Sequence, residues 1–100
     1  MPPRVLTDEE IRDALVRLPS WSGDRERLER LVTAPDFPTA IRLVTLVADA
    51  AEEINHHPDI DIRWRRVRFV LRTHVSKGVT KYDLELARRI DQAATDVGAE

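Results

Sequence analysis

Between Ile60 and His74 the chain alternates apolar and polar residues with a period of two, and this run constrains the fold more than any other feature. Ile60, Ile62 and Trp64 alternate with Asp61, Arg63 and Arg65. Val67, Phe69, Leu71 and Thr73 then alternate with Arg66, Arg68, Val70, Arg72 and His74. Such a pattern on both sides of a short connection predicts an antiparallel hairpin with one buried face. On this parity Trp64 and Phe69 face the core, and His74 points away from it.

Helical signals frame the hairpin. Thr7-Asp8-Glu9-Glu10 reads as a capping box, and Ile11, Ala14, Leu15 and Leu18 follow at helical spacing until Pro19 stops the helix. Residues 1–6 read as a short tail. Trp21 to Asp24 reads as a short extended piece and a turn, and Arg25 to Thr33 as a strand, although a helix fits its spacing nearly as well. Asp36 caps a second helix with Pro38 in its first turn, and Ile41, Val44, Val47, Ala48, Ala51 and Ile54 form its apolar stripe. Asn55-His56-His57-Pro58 ends it, because the residue before a proline is pushed out of the helical region. Ser76-Lys77-Gly78 is a loop. Thr80-Lys81-Tyr82-Asp83 reads as a second capping box, followed by an inner face of Leu84, Ala87, Ile90 and Ala94. The order α-β-β-α-β-β-α predicts an α+β fold in one domain over residues 1–100, with the helices packed on one side of a small antiparallel sheet.

Composition removes several classes of function. The 100 residues contain no cysteine, which excludes disulfide frameworks, thiolate metal sites and cysteine nucleophiles. The formal net charge of −2 argues against a large electrostatic footprint for nucleic acid or anionic membrane. No apolar run approaches the roughly 18–20 residues of a membrane span, and the N-terminal residues lack the apolar stretch of a signal peptide. A cytoplasmic protein is the expectation. Arg63, Arg65, Arg66, Arg68 and Arg72 make a local basic cluster, but with Trp64 and Phe69 on the core-facing parity no aromatic platform is left for stacking nucleic-acid bases. A solvated or subunit-facing surface is the reading of this cluster.

Only three histidines are present: His56 and His57 at the end of the second helix, and His74 at the end of the second hairpin strand. Glu52 lies one helical turn before His56, and Asp83 lies in the first turn of the last helix. Imidazole titrates near neutral pH, so several around one pocket suit proton transfer in both directions, and a carboxylate on one ring nitrogen fixes tautomer and orientation. Blander readings stand beside this one. Two histidines before a proline are also ordinary surface-loop residues, Asp83 also completes the capping box, and Glu52 also fits a solvated helix face. A catalytic zinc site is the sharper rival. Against it, adjacent histidines at a helix end diverge, and no His-x3-His pair is present.

The residues Ala51-Glu52-Glu53-Ile54-Asn55-His56-His57-Pro58-Asp59, Trp64-Arg65-Arg66-Val67, Thr73-His74, Gly78-Val79-Thr80 and Asp83-Leu84-Glu85-Leu86-Ala87 closely resemble the pterin-4a-carbinolamine dehydratases. The resemblance runs from about Phe37 to Ala94. It implies a four-stranded antiparallel sheet with three helices on one face, in a homodimer or homotetramer. The implied activity is dehydration of 4a-hydroxytetrahydropterin to quinonoid dihydropterin, without metal or other cofactor. His56, His57 and His74 become the active-site histidines, Glu52 and Asp83 their acidic partners, and Pro58 the residue that shapes the turn. The segment Leu28 to Pro35 lacks the family's aromatic strand pattern, and Arg72 stands where a small polar residue is frequent. Some members of this family instead serve as dimerisation cofactors of a homeodomain transcription factor. That alternative, a non-catalytic binding module, needs an exposed apolar stripe, and the apolar positions here read as core-facing.

Overall fold

A computed structural model describes residues 1–100. Its elements are α1 (Asp8–Arg17), β1 (Ser22–Gly23), β2 (Leu28–Thr33), α2 (Phe37–Ile54), β3 (Asp59–Arg63), β4 (Arg66–Leu71) and α3 (Lys81–Asp96), with one 3-10 turn at His74–Ser76. The strands form one antiparallel sheet in the order β1-β2-β4-β3, and three helices accompany it, as the sequence leads one to expect.

Both capping boxes form. Thr7 Oγ1 accepts from the Glu10 N–H while Glu10 accepts from the Thr7 N–H, and Thr80 and Asp83 repeat the arrangement at α3. Asp36 caps α2 by accepting from the Thr39 N–H at 2.9 Å. These bonds satisfy amide groups that the first turn of a helix cannot satisfy itself.

The core lies between the sheet and the helices. Leu28 and Val32 of β2, Val67, Phe69 and Leu71 of β4, Leu43 and Val47 of α2, and Leu86 and Ile90 of α3 are fully buried. Each such side chain contributes about 1.5–3 kcal/mol relative to exposure. Arg30 shares the core face of β2. Its Nη1 donates to Asp91 of α3, and Trp21 Nε1 donates to the same carboxylate oxygen at 2.7 Å. This polar bridge ties the sheet to α3 inside an otherwise apolar layer.

The structure corrects four sequence expectations. First, the buried face of α2 is Ala40, Leu43, Val47 and Ala51, whereas Ile41 and Ala48 are exposed and Val44 half-buried. The helix is apolar over so much of its circumference that spacing alone did not fix which stripe faces the sheet. Second, Trp64 is 68% exposed rather than core-facing. It leaves the strand at the two-residue hairpin loop with φ 55°, and the whole edge strand β3 is exposed, with Ile60 at 36% and Ile62 at 38%. Third, α2 ends at Asn55 as expected, but a left-handed turn rather than the proline ends it. Asn55 adopts the left-handed conformation, Asn55 N–H donates to Glu52 O at 3.2 Å, and His56 N–H donates to Ala51 O at 3.0 Å. That pair of bonds is a Schellman ending.

Fourth, the segment before α1 is not a free tail. Leu6 is buried, and its N–H donates to Val79 O at 2.9 Å. Arg25 Nε donates to Leu6 O, and Ser76 Oγ donates to Pro3 O at 2.6 Å. A Cβ on Gly78 would lie 2.8 Å from Arg25 O and 2.9 Å from the Val5 side chain, so the arm's seat requires glycine there. Arg4 clamps the arm to α1 with two bonds to Glu10, at 2.7 and 2.8 Å. The Arg4 guanidinium, with the Thr7 N–H, lowers the Glu10 carboxyl from the ordinary 4.5 to about 2. A depressed carboxyl contributes stability above its unfolded value and loses it as pH falls through the folded value. The stability difference between wild type and Arg4→Ala, measured by chemical denaturation, should therefore shrink as pH drops from about 4.5 towards about 2. A difference that stays constant over that window would contradict the clamp.

Candidate functional site

The Schellman turn at the end of α2 and the start of α3 place His56 against Asp83. His56 Nε2 lies 2.6 Å from Asp83 Oδ1. The Asp83 side chain is 0% exposed and the His56 side chain 14%. The other carboxylate oxygen, Oδ2, accepts from the Thr73 hydroxyl at 2.8 Å and from the Thr80 N–H at 2.9 Å. Thr73 and Thr80 hydroxyls are 2.7 Å apart. Since Thr73 gives its hydrogen to Asp83, Thr80 is the donor of that pair. Every hydrogen in the network is thus directed towards one buried carboxylate. A carboxylate only accepts, so His56 Nε2 carries a hydrogen, and in the neutral ring Nδ1 keeps the lone pair.

The same network fixes the segment that carries His74. Thr73 precedes His74 and is bridged to Gly78, with Thr73 N–H donating to Gly78 O at 3.0 Å. The 3-10 turn between them is pinched at its base by this bridge and held at Ser76 by the N-terminal arm. His74 itself is exposed. Asp83 thus connects His56, at the end of α2, to the base of the turn bearing His74.

His57 has a different partner from the one its neighbour takes. Its Nε2 lies 2.5 Å from Glu52 Oε2, and both side chains are open to solvent, 55% and 76% exposed. Helical spacing suggests a shared face for Glu52 and His56. The Schellman turn instead swings His56 inward to Asp83 and leaves His57 over Glu52. Pro58, half-buried, follows at the start of β3.

Three residues join the site that sequence reasoning did not assign to it. Thr73 and Thr80 enter there as a strand residue and a cap that also carry the family resemblance, with no role at the site, yet both bind Asp83. The Tyr82 ring stands 6.0 Å from that of His56, tilted by 40°. The spacing Thr73, Thr80, Asp83 was the available signal, since a helix cap brings the last two together and strand β4 delivers the first.

Hollows of about 380 and 460 Å³ flank Tyr82, one under the N-terminal arm and one beside Ile54 and Glu85. A hollow of about 260 Å³ lies on the bare face of the sheet. No histidine lines any of these three. No three His, Asp or Glu side chains gather as a metal ion would need.

A sequence model of the pterin 4 alpha carbinolamine dehydratase family matches residues 4–93. A Nocardia farcinica protein that carries a provisional pterin-4-alpha-carbinolamine dehydratase name is 51% identical over 94 residues, covering 94% of this chain and 99% of its own. A similarly named protein of Mycobacteroides abscessus is 49% identical over 87 residues, 87% of this chain and 93% of its own. The crystal structure of a transcriptional coactivator/pterin dehydratase from Brucella melitensis superposes with a TM-score of 0.86 at 35% identity, over 89% of this chain and 97% of that one. With the family pattern spanning nearly the whole length, and a fold shared with a solved relative, the chain belongs to the pterin-4-alpha-carbinolamine dehydratases.

Proposed function

We propose that this chain, as a hydro-lyase of its family, removes water from 4a-hydroxytetrahydropterin by histidine general acid–base catalysis, with His56 and His74 exchanging protons and His57 binding and orienting the pterin. The observation that carries the proposal is the His56–Asp83 pair. A nearly buried imidazole is held by a carboxylate that is itself saturated by three donors, so one tautomer and one orientation are imposed. His57, paired with an exposed Glu52, has no such buried support and suits a binding role.

The substrate has a hydroxyl on C4a beside the N5–H. Dehydration breaks the C4a–O bond, forms the C4a=N5 bond, delivers one proton to the departing hydroxyl and removes one from N5. The N5 lone pair supplies the electrons, so the chemistry asks for two proton carriers and no metal or redox cofactor. The proposal places the enzyme in the cytoplasm, the location expected from the sequence. The test is the decay of freshly generated 4a-hydroxytetrahydropterin, followed by ultraviolet absorbance, with and without chelator-treated protein. Acceleration by the treated protein supports cofactor-free dehydration. Folded protein that gives no acceleration contradicts it.

Homo-oligomerisation belongs to the same reading. Phe37 and Ile41 are 47% and 40% exposed on α2, with Ala48 exposed further along that side. Ile41 and Ala48 belong to the stripe that sequence spacing had turned towards the core, and Phe37 extends their exposed side. A dimer or tetramer covers it economically, and light scattering at a single-chain mass would contradict that. The same stripe would serve a binding module of the kind named for the Brucella relative, but the intact His56–Asp83 network favours the enzyme.

A further inference from the structure

The face of the sheet that carries no helix holds a charge arrangement for which the dehydration has no use. Val67 and Phe69 of β4 are buried, so Arg66 and Arg68 project from the opposite face. The strand register sets Arg63 directly opposite Arg66, and Asp61 and Leu31 on either side of Arg68. These five residues line the hollow of about 260 Å³.

Its charges do not balance. Asp61 reaches Arg63 at 3.4 Å and Glu29, outside the hollow, reaches Arg68 at 3.6 Å. Arg66 has no acidic partner. Like charges directly opposite one another destabilise an antiparallel pair. The hairpin keeps such a pair next to a second cost, the bulky Trp64 at φ 55°, a position hairpin loops usually give to glycine or asparagine. Arg65 makes no further claim on the hollow, since its guanidinium lies 5.0 Å over the Trp64 ring and donates to Ala34 O. Two independent local costs at one hairpin tip point to something gained there. A planar guanidinium fork matches phosphate oxygens two at a time, and an anion between Arg63 and Arg66 turns their repulsion into attraction.

We propose that this hollow is a second ligand site that holds the phosphate of a small phosphorylated molecule. Arg63 and Arg66 form the clamp, Arg68 closes its side, Asp61 orients Arg63, and Leu31 supplies an apolar floor. The site is independent of the histidines, so it stands whether or not the dehydratase mechanism does.

The test is thermal unfolding of the full chain in inorganic pyrophosphate against chloride at matched ionic strength. A ligand that binds only the folded state raises its melting temperature in a saturable way. Wild type should show this rise. The Arg63→Ala/Arg66→Ala protein should lose it, with an apparent affinity weaker by about tenfold or more. Without pyrophosphate the double variant should melt no lower than wild type, because the opposed charges are gone. Should it fail to fold, Arg66→Gln carries the same comparison. Absence of a pyrophosphate-specific rise in wild type, or an equal rise in the variant, would overturn the proposal. A single-stranded oligonucleotide that raises the melting temperature where pyrophosphate does not would also overturn it, and would give the face to a nucleic-acid backbone.

Discussion

An Asp83→Ala protein is expected to lose about 2–4 kcal/mol of stability and most of its turnover. Asp83 is fully buried and accepts hydrogens from Thr73, Thr80 and His56, so truncation strands three donors around a buried position. It also removes half of the capping box that starts α3. For a chain of this size a loss of that magnitude lowers the melting temperature by roughly 10 °C or more. Asp83→Asn separates the structural from the chemical share. The asparagine oxygen can still accept from Thr80 and Thr73, but its amide faces His56 Nε2 with hydrogens and forces the ring into the other tautomer. Thermal unfolding should then show most of the stability kept, while turnover remains low. An Asp83→Asn enzyme with wild-type turnover would mean that the tautomer does not matter.

The second large effect concerns the histidines themselves. His56→Ala and His74→Ala should each lower kcat by about 10²–10⁴-fold, the usual contribution of a positioned acid or base. Groups that act as a unit are not additive, so the double variant should be little slower than the worse single one. His57→Ala should mainly raise KM and leave kcat near wild type, because its pairing with exposed Glu52 orients a binding group rather than a proton carrier. Steady-state kinetics on the three proteins checks the division. Equal and negligible effects at all three positions would refute it.

What the sequence made legible was what depends on near neighbours. Thr7 with Glu10 and Thr80 with Asp83 are three residues apart, so their caps follow from the residues alone. The hairpin of β3 and β4 follows from alternation, and the helix order follows from spacing. Contacts between distant segments were hidden. The N-terminal arm looked free because the residues that hold it, Arg25, Ser76 and Val79, lie far along the chain. Arg30 and Asp91 are 61 residues apart, and nothing local marks an arginine as core-facing. At the site, histidines and carboxylates were visible as a set but their pairing was not. One left-handed residue, Asn55, decides that His56 meets Asp83 and His57 meets Glu52, and a helical wheel continued past Ile54 gives the wrong partner. The α2 face failed for the opposite reason: Ile41 and Val44 are as apolar as Leu43 and Val47, and only the sheet's position chooses between them.

The central claim is that His56, locked by Asp83, and His74 carry the protons of the dehydration. It is tested most directly by single-turnover decay of 4a-hydroxytetrahydropterin at saturating protein, with wild type beside folded His56→Ala and His74→Ala. Wild type should give rapid decay, and either variant a rate near the uncatalysed one. Decay as fast with His56→Ala as with wild type would contradict it.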